Sequence, residues 1–328
     1  MKAAVYRKFG GPEVVHIEEV QKPAPRPGEV LIKVHATTVS VADHRMRSRD
    51  LPKGLWFFGP LALGVLGPRR KVLGMDLAGV VEAVGANVER FKVGDAVIAM
   101  TGAQFGGHAE YRCIREDSAI ALKPKNMSFE EAVTLVFGGQ TALRFLNRAK
   151  IKPGDEVLVN GASGAVGSAA VQIAKHLGAV VTGVCSAANA ELVRSLGADY
   201  IVDYTREDFA RNGESYDVIV ECVGNAPFER VEGSIKPGGA LLLVISDLKG
   251  MLGASRNSKK SGKLVTWSDS TPSAEELRFL VELAEAGKFR AVTDRTYELD
   301  DIVEAHRHVD TGRKRGNVVV RVAADGRA

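Results

Sequence analysis

Cysteine is scarce in this sequence, and its scarcity excludes a fold that is stabilised by several disulfide bonds. The 328 residues contain three cysteines, Cys113, Cys185 and Cys222, which lie far apart and form no CxxC pair. Disulfide scaffolds need closely spaced cysteine pairs, whereas isolated thiols are typical of proteins kept in a reducing compartment. We therefore expect a cytoplasmic protein.

The sequence also lacks a strong charge of one sign and a long apolar run. Its 44 basic and 40 acidic side chains leave a net charge of +4. No nucleic-acid partner is expected, and the short cluster at residues 313–315 is interpreted as a solvated turn. The longest apolar stretch, residues 55–66, is interrupted by glycines and a proline and is shorter than the ~20 residues that span a bilayer. We expect no integral membrane segment, and the N-terminus has no apolar signal-peptide core.

The length favours two domains over one hydrophobic core. Short β-branched segments between glycine turns predict strands at 30–36, 78–84 and 95–100. From Ser128, which begins a capping box with Glu131, strands and helices alternate. Strands are predicted at 156–160, 180–184, 200–202, 216–222, 240–245 and 317–322, and helices at 167–177, 188–196 and 275–286. The expected fold class is α/β: a Rossmann doubly wound parallel sheet at 128–270, and a β-rich domain built from 1–127 and 271–328.

A glycine-rich turn is the strongest local pattern. The apolar strand 156–160 runs into Gly161-Ala162-Ser163-Gly164-Ala165-Val166-Gly167, and a helix of small residues follows. In a dinucleotide site the first glycine permits the tight turn, the second lets the backbone approach a diphosphate, and the third lets the helix pack closely on the strand. The helix N-terminus then offers unpaired N–H groups to the phosphates. The pattern predicts a dinucleotide-binding turn.

The end of the next strand bears on the choice between NAD and NADP. A NAD site usually has an acidic residue there, which holds the ribose hydroxyls. This turn reads Cys185-Ser186-Ala187-Ala188-Asn189 and contains no acid. Ser186 and Asn189 can donate hydrogen bonds to a 2′-phosphate, and Arg194 can add positive charge, so NADP(H) is the expected cofactor. Ser186 and Asn189 are also suitable helix caps, and the two roles can coexist.

Taken together, these motifs resemble the medium-chain dehydrogenase/reductase superfamily, in its zinc-independent quinone oxidoreductase (zeta-crystallin-like) branch. The resemblance is carried, in order along the chain, by Gly74–Val81, Phe91–Asp95, Ala109–Tyr111, Gly138–Ala142, Lys152–Asp155, Gly161–Gly167, Leu196–Asp199, Lys236–Gly239 and Gly316–Val319. It implies a GroES-like substrate domain, a Rossmann cofactor domain, and a cleft between them for nicotinamide and substrate. It also implies that the C-terminal segment returns to the first domain. Members of this branch are commonly homodimers, so a homodimer is expected.

Zinc-dependent members of the superfamily hold their metal with cysteine and histidine ligands. Here the motif that corresponds to Gly-His-Glu reads Gly74-Met75-Asp76, and Ser40 stands where a ligand cysteine is expected. The four-cysteine structural lobe is missing. Because a tetrahedral zinc site needs several convergent Cys or His ligands, no metal is expected.

The resemblance and the position of strand ends suggest site residues. Ser163, Ala165 and Val166 are expected at the diphosphate, and Ser186 and Asn189 at the adenosine phosphate. Tyr204 lines the adenine side in close relatives, although it could equally pack. The cofactor should also contact Cys222, Val223, Gly224, Ile245, Ser246 and Asn317. Cys222 has no activating partner and is interpreted as a packed thiol. Ser40, Asp43 and Thr141 are candidates for positioning the reactants.

Two further expectations concern the substrate. The tyrosine that several relatives offer as a proton donor aligns with about Leu51, so no donor is assigned. Trp56-Phe57-Phe58 is either an apolar wall for a flat acceptor or a hydrophobic loop packed on its domain.

The expected activity follows from the missing metal. Without a Lewis acid nothing lowers the pKa of an alcohol, so alcohol oxidation is disfavoured. Reduction of a quinone or enone is easier, because the cofactor carries the hydride chemistry. We therefore predict an NADPH-dependent quinone reductase. The alternatives are an alkenal or enoyl reductase on the same scaffold, an NADPH-binding protein without turnover, and an alcohol dehydrogenase.

Overall fold

Two large β-sheets of different kinds organise the computed structural model, which describes residues 1–56, 59, 63–65, 67–267 and 271–322. The chain divides into two units. The first consists of Met1–Leu51, Trp56–Phe137 and Pro272–Ala328, and the second of Pro52–Leu55 and Gly138–Thr271. The division falls after Phe137, whereas the change in sequence pattern had suggested residue 127. The reason is that Ala132, Val133 and Val136 are buried in a core cluster of the first unit, together with Ile98 and Leu277.

The first unit is rich in β-structure. Its strands are β1 (Lys2–Tyr6), β2 (Val15–Glu19), β3 (Glu29–Val39), β4 (Asp76–Val84), β5 (Ala96–Met100), β6 (Tyr111–Arg115), β7 (Ile120–Leu122), β14 (Thr293–Glu298) and β15 (Asn317–Arg321). Its helices are α1 (Val41–Ser48), α2 (Phe129–Val133), α8 (Ala274–Glu285) and α9 (Ile302–Asp310).

The seven-stranded sheet of this unit runs β14-β15-β3-β4-β5-β7, with β6 also paired to β3, while β1 and β2 form a separate hairpin. The terminal strand β15 pairs antiparallel with β3, so that Val318 lies opposite Val39 and Arg321 opposite Ala36. The predicted return of the C-terminal segment to the first domain is therefore confirmed.

The second unit contains six strands and five helices among the described residues. Its strands are β8 (Glu156–Asn160), β9 (Val180–Cys185), β10 (Tyr200–Asp203), β11 (Tyr216–Glu221), β12 (Ile235–Leu243) and β13 (Leu264–Thr266). Its helices are α3 (Gln140–Ala149), α4 (Ala165–His176), α5 (Ala190–Ser195), α6 (Phe228–Val231) and α7 (Leu248–Ser261).

All six strands of this unit are parallel, in the order β10-β9-β8-β11-β12-β13. This is the Rossmann order, with the direction of winding reversed between β8 and β11. Residues such as Leu158, Ile219 and Leu241 are wholly buried, as expected of strands covered by helices on both faces. The predicted fold class is confirmed.

The predicted elements agree with the structure to within a few residues, apart from one strand, and the structure contains several further strands and helices, α7 among them, that were not predicted. The strand expected at 240–245 begins earlier, at Ile235, and its pairing with β11 contains an irregularity before Val218. The helix α7 was not predicted, because its glycines at 250 and 253 weaken the helical pattern. Its N-cap is nevertheless well formed, since the Asp247 carboxylate accepts the N–H of Gly250 at 2.8 Å.

Candidate cofactor site

The turn after β8 has the backbone that its glycines predict. Gly161 has a φ of +83°, which favours glycine, and both Gly161 and Ala162 donate their N–H groups to the carbonyl of Val184. A Cβ at Gly167 would overlap the carbonyl oxygen of Gly161. The start of α4 therefore packs directly on the turn, and Gly167 is required by that packing.

Gly164 differs from the other two glycines, because its neighbours leave room for a side chain. A Cβ there would meet only the carbonyl oxygen of Gly161, at 3.5 Å, and its φ of −81° is open to any residue. Gly164 is the N-cap of α4 and offers no side chain to the helix. The first N–H groups of an α-helix have no partner within the helix, so the turn presents free donors beside an open backbone.

Two further contacts define the surroundings of this turn. A Cβ at Gly138 would lie 2.6 Å from the carbonyl oxygen of Ala165, so the turn that precedes α3 approaches the start of α4 through a glycine. Thr141 lies in the first turn of α3 and is nearly buried. Ser163 accepts a hydrogen bond from the Asn189 side chain at 3.2 Å. The structure therefore brings together two of the predicted cofactor residues, one from each of the first two strand ends.

At the end of β9, the side chains of Ser186 and Asn189 make no capping hydrogen bond. Capping therefore does not account for the two residues. Tyr204 follows β10 and donates its N–H to the carbonyl of Cys185 at 3.2 Å, while its side chain is largely exposed. The ring of Tyr204 is thus not part of the core of this unit.

Sequence inspection missed an acid beside this strand end. Asp203 lies opposite Cys185 in the sheet, and its carboxylate accepts hydrogen bonds from the N–H and the hydroxyl of Thr205. These hydrogen bonds lower the pKa of Asp203. Burial, and then the Asp203 charge, raise the pKa of the Cys185 thiol to about 11, while Arg194 acts in the opposite direction. Only the pairing of β10 with β9 reveals this acid.

A buried carboxylate organises the point where the winding of the sheet reverses. Glu221 ends β11, is fully buried, and accepts the N–H groups of Val223 and Gly224 at 2.6 Å each. Its other oxygen accepts the side-chain amide of Asn160, from the end of β8, at 2.7 Å. Burial and the neighbouring Glu221 charge raise the pKa of the Cys222 thiol, so the prediction of an unactivated thiol has electrostatic support.

The loop that Glu221 holds contacts both neighbouring strand ends. A Cβ at Gly161 would lie 2.8 Å from a methyl group of Val223, and a Cβ at Gly224 would lie 3.0 Å from Ile245. Ser246 follows directly, and its hydroxyl donates to the carbonyl of Asp247. Gly161, Val223, Gly224 and Ile245 thus form one continuous edge at the carboxyl ends of β8, β11 and β12. Ligands of open α/β sheets bind at such an edge.

The remaining predicted residues lie in the first unit and hold its backbone. Asp43 is fully buried, and its carboxylate accepts the N–H and the hydroxyl of Ser40 and the N–H of Gly74. Asn317 is buried and donates its side-chain amide to the carbonyl of Val292 at 3.1 Å. Trp56 is largely exposed, while Phe57 and Phe58 lie outside the described residues.

The residues at the position of a catalytic zinc do not fit that metal. Met75 offers no imidazole, and the Asp76 carboxyl accepts the N–H and the hydroxyl of Thr38 at 2.8 and 2.7 Å. Burial raises the pKa of Asp76 to about 7. Within the described ranges, no three or more His, Cys, Asp and Glu side chains are grouped so that they could hold a metal ion.

Comparison with known proteins agrees with this geometry. The family model of the alcohol dehydrogenase GroES-like domain matches residues 26–125, and that of the zinc-binding dehydrogenases matches residues 196–320. A 2-methylene-furan-3-one reductase from Solanum lycopersicum is 33% identical over 98% of this chain and 79% of its own length. A chloroplastic NADPH-dependent alkenal/one oxidoreductase from Arabidopsis thaliana is 32% identical over the same shares. The structure of a quinone oxidoreductase from Coxiella burnetii has a TM-score of 0.88 and 30% identity, over 98% of this chain and 99% of that chain.

The family models and the named relatives therefore identify an oxidoreductase of a family that binds a nicotinamide dinucleotide and acts on small molecules. The chain belongs to the medium-chain dehydrogenase/reductase superfamily, in the branch that resembles the quinone oxidoreductases. Among the described helices, none combines the length and the apolar character that a bilayer crossing requires.

Proposed function

We propose that this protein is an NADPH-dependent reductase that passes hydride to a quinone, or to an alkene conjugated with a carbonyl group, without a metal. The observation that carries the proposal is the turn at residues 161–167. Gly164 leaves its backbone open, and the first N–H groups of α4 are free to bind a diphosphate. Gly138 and Gly167, in contrast, are required by the packing around the turn.

The end of β9 supports NADPH over NADH as the cofactor. Ser186 and Asn189 do not cap their helices. The Ser186 hydroxyl is therefore available to a 2′-phosphate, and the Asn189 amide, which gives one N–H to Ser163, has a second N–H to offer. Asp203 is the opposing feature, because its negative charge would repel that phosphate. Its carboxylate is turned toward Thr205, and Arg194 opposes its effect on Cys185. The donors are therefore expected to prevail.

The chemistry needs little from the protein beyond orientation. When bound, the nicotinamide cofactor would supply a hydride to a carbon of the acceptor, and the acceptor oxygen would gain its proton from water. Asp43 holds Ser40 and Gly74 in place, and Thr141 is set by its position in α3. We assign Ser40, Asp43 and Thr141 to positioning and none of them to proton transfer.

Within this proposal a quinone is the first candidate acceptor, and an enal or enone is the second. Two of the relatives reported above are named for such reactions, a 2-methylene-furan-3-one reductase and an alkenal/one oxidoreductase. The hydride step is the same in kind, because a quinone is itself a cyclic enone.

Initial rates with different acceptors distinguish quinone reduction from alkenal reduction. The acceptors are 1,4-benzoquinone, 9,10-phenanthrenequinone and a series of 2-alkenals, each measured with NADPH and with NADH. We expect turnover with NADPH at a lower KM than with NADH. Tight NADPH binding without turnover of any acceptor would instead favour a binding protein. Stoichiometric zinc in the purified protein, removed together with its activity by a chelator, would favour an alcohol dehydrogenase.

Assembly and location also belong to this proposal. We propose a homodimer, to be checked by sedimentation equilibrium. The isolated thiols Cys113, Cys185 and Cys222 support a reducing compartment such as the cytoplasm. Some relatives carry chloroplastic or mitochondrial names, so fluorescence microscopy of the tagged protein is the appropriate test.

A further inference from the structure

Residues 248–267, which form α7, β13 and their flanks, carry an unusual local charge. They contain five basic residues and no acidic residue, a net charge of +5. The whole chain has a net charge of only +4, so the rest of the chain is close to neutral, at −1. The positive charge of this protein is therefore concentrated in one short segment of its second unit.

The helix places much of this charge on a single face. Leu252, Ser255, Arg256, Lys259 and Lys260 follow one another at helical spacing and line a shallow, open depression. We call these five residues the α7 stripe. All five are exposed, Leu252 to 75%, whereas Ala254 on the same helix is buried.

The basic residues of the stripe have no partner among the residues that the structure describes. Within the described part of the chain, Arg256, Lys259 and Lys260 make no side-chain hydrogen bond or ion pair. The two other cations of the segment are engaged: Lys249 pairs with Glu229 at 3.2 Å, and Lys263 donates to the carbonyl of Glu232. The stripe is thus a cationic surface that no described residue of its own unit neutralises.

Two simpler explanations do not account for the stripe. Lys259 and Lys260 lie in the last turn of α7, where cations oppose the negative end of the helix dipole. Arg256 lies before that turn, however, and an exposed leucine has no part in that interaction. A symmetric contact that placed the two stripes against each other on the two-fold axis would bring like charges together, and like charges repel.

We propose that the α7 stripe docks the protein on an anionic phospholipid surface. The three cations face the headgroups, and Leu252 inserts among the acyl chains at the interface. Lysine and arginine suit this role, because their aliphatic stems lie along apolar surface while their charged ends stay in water. A leucine amid cations is the pattern of a reversibly bound interfacial helix, and a purely electrostatic anion site would not need it. The proposal is independent of which acceptor the enzyme reduces.

The expected effect can be worked out from the number of charges. Each lysine or arginine near an anionic surface raises partitioning about fivefold. Reversing two of them in the variant Arg256→Glu/Lys260→Glu should lower binding by about 25-fold or more, because the new carboxylates add repulsion. Leu252→Ser should lower it roughly tenfold, since it removes the inserted side chain without a change of charge.

The test is co-sedimentation of the full chain with vesicles of phosphatidylcholine, with and without phosphatidylglycerol. The control variant is Arg148→Glu/Lys152→Glu. It changes one arginine and one lysine at the same spacing, both exposed, elsewhere in the same unit. Circular dichroism and thermal unfolding verify that every variant is folded. We expect salt-sensitive binding of the unaltered protein to the phosphatidylglycerol vesicles only, retained by the control variant and lost by the stripe variants.

Several results would overturn the proposal. One is equal binding to neutral vesicles, or none to anionic ones. A second is an equal loss in the control variant, which would assign the effect to net charge. A third is a Leu252→Ser variant that binds vesicles as the unaltered protein does. A fourth is stronger binding of the protein to a DNA duplex than to anionic vesicles, which would indicate a general polyanion site. If the Arg256→Glu/Lys260→Glu variant dissociated from a dimer into monomers, the α7 stripe would be a contact between two copies of the chain.

Discussion

Replacing Gly164 should separate cofactor binding from folding more cleanly than any other change in the glycine turn. A Cβ at this position meets only one atom, the carbonyl oxygen of Gly161 at 3.5 Å, which is an ordinary van der Waals contact. The backbone is extended, with φ −81° and ψ 176°, so a valine is not strained there. The added methyl groups would instead occupy space beside the first N–H groups of α4, where the diphosphate is proposed to bind.

The magnitudes follow from these contacts. The loss of glycine at the N-cap costs up to about 1 kcal/mol, and the reduced freedom of the unfolded chain returns about 0.4–1 kcal/mol. The free energy of unfolding of Gly164→Val should therefore stay within about 1 kcal/mol of its original value. A side chain that blocks the diphosphate should weaken NADPH binding by tenfold to a hundredfold, which corresponds to about 1.4–2.8 kcal/mol.

Gly167→Ala is the matched control, because it should behave in the opposite way. Its Cβ would overlap the Gly161 carbonyl oxygen and lie 2.9 Å from the Cα of Ala162. These are backbone atoms, so the overlap should cost about 1–3 kcal/mol of stability. Calorimetric titration with NADPH and thermal unfolding should be run on both variants. If Gly164→Val binds NADPH as tightly as the unaltered protein, or loses its fold, the assignment of the turn is wrong.

Three further predictions concern single side chains. Glu221→Gln should destabilise the protein by about 1–2 kcal/mol in urea unfolding, because the new amide faces that of Asn160; an unchanged midpoint would show that the carboxylate is dispensable. Burial, with His108, Arg47 and His44 nearby, lowers the pKa of His306 well below 6.5. Below pH 6.5 the unfolded chain therefore binds a proton at His306 that the folded protein does not, so the free energy of unfolding decreases as the pH falls below 6.5. His306→Leu should raise the melting temperature at acidic pH and flatten this slope, and an unchanged slope between pH 7 and 5 would refute the assignment. Ser186→Ala should raise the KM for NADPH about tenfold while leaving that for NADH unchanged, and equal changes for both would exclude a contact with the 2′-phosphate.

Local sequence was a sufficient guide wherever neighbouring residues impose the structure. The strand, turn and helix around residues 161–167 are contiguous, so the spacing of three glycines predicted both the φ of Gly161 and the close packing of Gly167. The capping box from Ser128 to Glu131 is likewise a contact between near neighbours, and both of its hydrogen bonds are present.

Other features depend on elements that are distant in sequence, and no local pattern marks them. Glu221 meets Asn160 across a separation of 61 residues, because β11 lies beside β8 in the sheet. Asp203 comes to the end of β9 only through the pairing of β10. A signal for the α7 stripe was present, since residues 248–267 contain no acidic residue, but its glycines concealed the helix that aligns the cations.

The amino-acid sequence by itself determined the α/β class, the superfamily and the conformation of the glycine turn at residues 161–167, because these depend on backbone preferences and spacings within short segments. The tertiary structure decided which carboxylates lie beside the strand ends and which cations share one face of α7. It also decided that the Asp43 carboxylate accepts hydrogen bonds from Ser40 and Gly74. Those are matters of proximity, and proximity between distant residues arises only when the sheet order and the helix faces have been set.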